Sequence, residues 1–284
     1  MFLHAFYKYA SQFGIDIVQD FREADVFFLF HIDAEGPVIV QESTSNVVTI
    51  DTHLLKPEGI GFTEAIKLKR SHQKLILRVN ECDDRKGTSH VDSQLVNVSK
   101  HLDQTIFVSR WMRDYFLKKG WEGGKISVLV NGVDSEIFSK KASKKNEKTR
   151  IVTHHWSSHP FKGEDLHVWL GNFAGRYSDK FEYTYIGRTN VTIPNANYVQ
   201  PLYGRALADK LKENDVYVSA SKNDPGPNHI LESLSCGIPT YVSSDGGGCV
   251  EFAGVDHVYE TYEQLENILL SRHYKPNRVL DLQD

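Results

Sequence analysis

The feature that most limits what this chain can become is a rhythm that runs, stops once and restarts. Short apolar runs of strand character alternate with amphipathic helical segments. In the first half, Ala24-Asp25-Val26-Phe27-Phe28-Leu29-Phe30 reads as a buried strand, followed by strands at Leu75-Ile76-Leu77-Arg78-Val79, Thr105-Ile106-Phe107-Val108 and Ile126-Ser127-Val128-Leu129-Val130. Ser109 stands as the N-cap of a helix whose Trp111, Met112, Tyr115 and Phe116 share one face and which Gly120 closes. Alternation of this kind packs as a parallel, doubly wound sheet.

The pause falls at residues 139–150, S-K-K-A-S-K-K-N-E-K-T-R, with six basic residues and no large apolar one. It reads as a basic polar linker, with peripheral contact to an anionic membrane as the alternative. Beyond it, Ile151-Val152-Thr153, Phe181 to Ile186 and Val216-Tyr217-Val218 read as strands, and helices are expected over 164–174, 204–213, 228–236 and 262–270. The expectation is therefore an α/β protein with two Rossmann-like, doubly wound parallel-sheet domains, residues 1–138 and 151–284, facing across a cleft. Residues 1–13 read as a helix where such a domain would open with a strand and a glycine-rich turn, so the N-terminal domain is expected either to lack its first strand or to be pared down.

Composition narrows the partners. A formal charge of −4 gives no footprint for nucleic acid. Cys82, Cys236 and Cys249 are odd in number and widely spaced, which suits a reducing cytoplasm and not a disulfide framework or a structural zinc site. No run approaches the ~20 apolar residues of a membrane span, and the N-terminus lacks signal-peptide character. The sequons at Asn97 and Asn190 read as chance matches, and Phe2, Phe6, Tyr7 and Tyr9 as the stripe of the opening helix.

The chemistry concentrates in Ser221-Lys222-Asn223-Asp224-Pro225-Gly226-Pro227-Asn228-His229-Ile230-Leu231-Glu232 and the following Ser233-Leu234-Ser235-Cys236-Gly237-Ile238-Pro239. A rigid Pro/Gly loop here leads into a helix, whose N-terminal N–H groups and dipole favour phosphate. Asp224 and Glu232 bracket that point as acceptors suited to vicinal hydroxyls. The plainer alternative makes Asp224 a turn cap and Glu232 a solvated helix residue.

Asp224 and Glu232 have seven residues between them, and C-G-I-P, a strand, Ser244-Asp245-Gly246-Gly247-Gly248 and Glu251 follow. This run resembles the E-x7-E signature of the GT-B glycosyltransferases of family 4. The resemblance implies a donor-sugar contact for Asp224 and a ribose contact for Glu232, with amides near Gly226, Asn228 and His229 facing a diphosphate. Aspartate stands where the family carries its first glutamate, shortening the reach by one methylene.

His154-His155-Trp156-Ser157-Ser158-His159-Pro160-Phe161-Lys162-Gly163 occupies the place of the family's G-R-L…K-G segment. Lys162 and Gly163 match, which gives Lys162 the leaving diphosphate. The family's arginine is absent, and Arg188 after the next strand is the candidate replacement. His154, His155 and His159 lack a companion cysteine or carboxylate at ligand spacing, so no metal is expected.

In the first half, Val108-Ser109-Arg110-Trp111-Met112 and Val130-Asn131-Gly132-Val133-Asp134…Phe138 also resemble the family. Phe138 reads as packing, while Asn131 is a candidate for the acceptor side. Asn80, Glu81 and Asp83 follow a strand, and acceptor orientation or proton handling stands beside a solvated loop as their reading. The resemblance implies transfer of a sugar from a nucleotide-diphosphate donor to a hydroxyl acceptor, a glycan or glycolipid, with retention and without metal or further cofactor. A nucleotide-sugar-binding module without catalysis and a GT-B-fold sugar-nucleotide epimerase are the rival expectations.

Overall fold

The computed structural model describes residues 66–67, 69–140 and 146–278, residue 12, and the backbone of two strands at 26–29 and 48–50. The expected opening helix and its aromatics lie outside the described residues. The chain divides into two compact units, Met1–Val130 and Asn131–Asp284.

In the first unit, strands β1 (Val26–Leu29), β2 (Val48–Ile50), β3 (Lys74–Val79), β4 (Gln104–Phe107) and β5 (Lys125–Val128) form a sheet of order β2-β1-β3-β4-β5. Every pairing is parallel, as in Leu77 opposite Thr105 and Phe107 opposite Val128. Helices α1 (Asp83–Lys86), α2 (Val91–Ser99) and α3 (Arg110–Lys118) accompany the sheet. Helix α3 begins as the sequence predicts. Ser109 is extended and its hydroxyl accepts the Met112 N–H at 3.0 Å. Met112 and Phe116, one turn apart, are fully buried against Phe107 and Trp121. Burying a side chain such as Phe116 is worth about 1.5–3 kcal/mol, which makes this face and not intrinsic propensity the source of the helix's stability.

The second unit holds β6 (Thr149–His155), β7 (Phe181–Gly187), β8 (Ala196–Val199), β9 (Val216–Ser219), β10 (Thr240–Ser243) and β11 (Val258–Tyr259). Their order is β11-β10-β9-β6-β7-β8, all parallel. Counted within the unit from its first strand, this is the 3-2-1-4-5-6 order of a Rossmann sheet, with the topological switch point between β6 and β9. Helices α4 (Glu164–Arg176), α5 (Gly204–Lys212), α6 (Asn228–Ser235), α7 (Gly248–Ala253) and α8 (Tyr262–Ser271) complete it. Ile151, Leu166, Leu170, Phe173, Tyr183, Val216 and Val218 form its core. The parallel, doubly wound α/β character of both units is as the sequence predicts.

Three details differ from the reading. Strand β6 starts at Thr149, inside the polar run taken as linker. Strand β8, Ala-Asn-Tyr-Val, was missed because an edge strand with polar residues lacks the apolar run of its neighbours. The charged stretch from residue 83, for which a solvated loop is one of the two readings, contains α1, with α2 close behind. Among the described residues no helix is long and apolar enough to cross a membrane, and no disulfide joins the buried Cys82, Cys236 and Cys249.

Candidate functional site

In the second unit the predicted donor residues meet at the carboxyl ends of β6 and β9, which is where an open α/β sheet binds ligands. After β6 the chain makes a single 3-10 turn, Pro160–Lys162, capped by Gly163 at φ +87°. A Cβ on Gly163 would stand 2.6 Å from Ala220 Cβ and 2.9 Å from the Ala220 carbonyl oxygen. Glycine is thus required both for the left-handed backbone and for the close approach of the turn to the loop after β9. That approach is sealed by the Lys222 N–H, which donates to the Phe161 carbonyl at 2.8 Å.

The result is an ion pair between residues 62 positions apart. Lys162 Nζ lies 2.6 Å from Asp224 Oδ2, with side chains only 14 % and 8 % exposed. A second clamp holds Asp224 from the opposite side. Its N–H donates to the Gly246 carbonyl, and its own carbonyl accepts the Gly248 N–H at 2.8 Å. Gly247, at φ +65°, leaves the space, since a Cβ there would press on the Asn223–Asp224 peptide.

Helix α6 starts at Asn228 after Pro227, without a side-chain cap. Its first-turn N–H groups are therefore the kind a helix leaves for a partner. Asn131, expected at the acceptor side, reaches this loop: its Nδ2 donates to the Gly226 carbonyl at 3.0 Å and to Asn228 Oδ1 at 2.8 Å. Phe138, seven residues on, is buried as expected.

Glu232, one turn further along α6, is buried and lies 2.8 Å through Oε2 from His154 Nε2. Sequence reasoning weighed His154 only as a metal ligand. Its place at the end of an apolar strand was the signal for a polar partner. The His155, His167 and His229 rings pack beside it, with 4.6 Å between the His155 and His229 centroids. Burial first, then the neighbouring His229, Lys162, His167 and His154, push the His155 imidazole well below its ordinary range. Burial lowers His167 to about 4. Both rings are neutral at pH 7. The buried His155 Nε2 and Ser221 Oγ have no hydrogen-bond partner among the described residues.

Arg188, offered as the missing arginine, follows β7. Among the described residues its guanidinium makes no ion pair, and it lies 4.1 Å above the Trp156 ring. Asp224, His229 and Cys249 bring three donor atoms within 4.8 Å of one another, the one such trio among the described residues. The Lys162 ammonium on the same carboxylate opposes a cation there.

The remaining candidates belong to the first unit. Glu81 is half-exposed, with its carboxylate 3.8 Å from Lys86 Nζ, and Asn80 is partly buried. Asp83 has its oxygens engaged: they accept from Thr88 Oγ1 and from the N–H groups of His90, Val91 and Asp92 at the start of α2. Asp92 returns the contact, accepting the Asp83 N–H at 2.8 Å. Burial raises the Asp83 pKa, but these hydrogen bonds together outweigh it and hold the carboxyl below its ordinary value.

No known family profile matches the chain, and no curated protein matches it by sequence. Solved structures do. TarM, from S. aureus, is 11 % identical at a TM-score of 0.60, over 74 % of this chain and 45 % of TarM. The Anabaena protein HepE, solved with UDP-glucose, is 14 % identical at 0.56, over 70 % of this chain and 62 % of HepE. The sucrose-phosphate synthase of Thermosynechococcus elongatus is 12 % identical at 0.59, over 87 % and 78 %. These neighbours are GT-B glycosyltransferases, and the chain has the GT-B fold. It spans about half the length of TarM.

Proposed function

We propose that this chain is a glycosyltransferase that takes a sugar from a nucleotide-diphosphate donor and transfers it to a hydroxyl of a glycan or glycolipid acceptor. The observation that carries the reading is the convergence of Lys162, Asp224, the start of α6 and Glu232 at the sheet's switch point. The fold shared with HepE, which was solved with UDP-glucose, supports it.

In the reaction the bond between the anomeric carbon and the diphosphate oxygen breaks, and negative charge grows on the departing diphosphate. Lys162 and the amides of Asn228 and His229 meet that charge as fixed donors, whose rigidity would limit reorganisation. Asp224 accepts hydrogen bonds from donor-sugar hydroxyls, and Glu232, steadied by His154, accepts from the ribose. Asn80 and Glu81 are assigned to the acceptor. Transfer proceeds with retention, without a metal or other cofactor, and a peripheral membrane contact accompanies a lipid-linked acceptor.

Thermal-shift screening against UDP, GDP, ADP and their sugars tests the reading. A ligand at about 100 times its Kd should stabilise the fold by roughly 2.7 kcal/mol, and Lys162→Ala, Asp224→Ala and Glu232→Ala should abolish that gain. No stabilisation by any nucleotide refutes it. Binding without transfer or hydrolysis moves the chain to a binding module, and interconversion of sugars without acceptor to an epimerase.

A further inference from the structure

The described surface carries one exposed aromatic pair with a cation stacked on it. Trp156 is 56 % exposed and Tyr203 58 %, with ring centroids 5.1 Å apart. The Arg188 guanidinium sits 4.1 Å over the Trp156 ring. The three residues come from three neighbouring strands at the same end of the sheet. Trp156 follows β6, Arg188 follows β7, and Tyr203 lies beyond β8 at the N-cap of α5. Parallel registry of His155 with Gly187 and of Ile186 with Val199 lines those strand ends up. Two large rings more than half exposed side by side at such a point offer a flat surface that a ligand can cover.

We propose that Trp156 and Tyr203, with Arg188 behind the indole, form the platform on which the nucleobase of the donor stacks. This rests on the donor reading of Lys162 and Asp224. Chain geometry supports it: Trp156 lies six residues before Lys162. Strands lie about 4.8 Å apart, so β8 is roughly 10 Å from β6. Base, ribose and diphosphate laid end to end bridge that span, with the phosphates over the β6–β9 switch point and the base over β7 and β8. The chemistry selects a base over a neutral sugar. Stacking on aromatic rings is available to every base through its π-face. A guanidinium with no carboxylate partner among the described residues offers N–H donors to a base carbonyl or the nearest phosphate.

Trp156 is the one tryptophan of the four that is mostly exposed, so its fluorescence reports the site. The full chain is titrated with UDP, GDP, ADP and inorganic pyrophosphate, following fluorescence and calorimetric affinity in wild type, Trp156→Ala, Trp156→Phe, Tyr203→Ala and Lys162→Ala. The preferred nucleotide should quench wild type but not Trp156→Phe, which keeps the ring and an affinity within about threefold. Trp156→Ala and Tyr203→Ala should each weaken that nucleotide by roughly tenfold and leave pyrophosphate unchanged. Nucleotide affinity that survives both alanine changes but falls in Lys162→Ala overturns the platform and leaves the donor site standing. Quenching by glucose or N-acetylglucosamine in place of nucleotides also overturns it. Failure of both nucleotides and pyrophosphate to bind overturns the donor reading along with it.

Discussion

The Lys162–Asp224 pair offers the sharpest test of how the second unit assembles its site. Two unit charges 2.6 Å apart attract by about 6 kcal/mol at an effective dielectric of ~20. Desolvation offsets much of this, because both side chains are largely withdrawn from water. Lys162→Met removes the ammonium that neutralises the buried Asp224 carboxylate, and should cost about 3 kcal/mol. Asp224→Asn strands the ammonium, which can tilt toward solvent, and should cost about 2 kcal/mol. The double variant removes both charges and should cost no more than the worse single change, giving a coupling energy of about 2 kcal/mol. Urea denaturation of the four proteins at pH 7.5 measures it. Repeating the cycle in 0.5 M salt adds a control, since a pair this buried is screened little while a surface pair would fade. Costs that add within about 0.5 kcal/mol would show that the two groups do not pair, and the convergence argued for the donor site would fail with them.

Three further outcomes follow from the geometry. Gly163→Ala should destabilise the chain by about 2 kcal/mol or more, because alanine must hold the left-handed backbone while its new Cβ meets Ala220; an unchanged urea midpoint would contradict the close approach. His155 and His167 are neutral in the fold with lowered pKa, so the unfolded chain binds more protons below pH ~6.5; stability should therefore be full above that pH and fall toward pH 4 by up to about 1.4 kcal/mol per pH unit per ring. His167→Gln should flatten that slope in denaturation curves at pH 7.5, 6.0 and 5.0, and an identical slope would refute the assignment. Asp83→Ala should cost about 1–2 kcal/mol and speed hydrogen exchange at the His90, Val91 and Asp92 amides; protection unchanged there would mean that Asp83 does not cap α2.

How much of this was legible beforehand depends on the range of the interaction concerned. Strands β6, β7 and β9 announce themselves because a parallel strand buried on both faces favours a run dominated by β-branched and aromatic residues. Helix α3 does so because its cap and its buried face lie within one turn of each other. The strand order could not be read, since it rests on pairings such as Ile151 with Val216, which no local pattern encodes. The same distance hides the partners of Glu232 and Lys162: motif spacing marks both residues, yet only the folded sheet brings His154 and Asp224 to them. Asp83 shows the opposite failure. A carboxylate after a strand looks alike in sequence whether it faces a ligand or caps a helix, and the reciprocal bond between Asp83 and Asp92 spans nine residues, outside the spacing of a capping box. What does survive as a local signal is a polar side chain closing an apolar strand. The His154-His155 pair ends the run Ile151-Val152-Thr153, and burial there is costly unless something hydrogen-bonds the rings. Glu232 takes one of them, and that single pairing links the first strand of the unit to the helix that carries its donor signature.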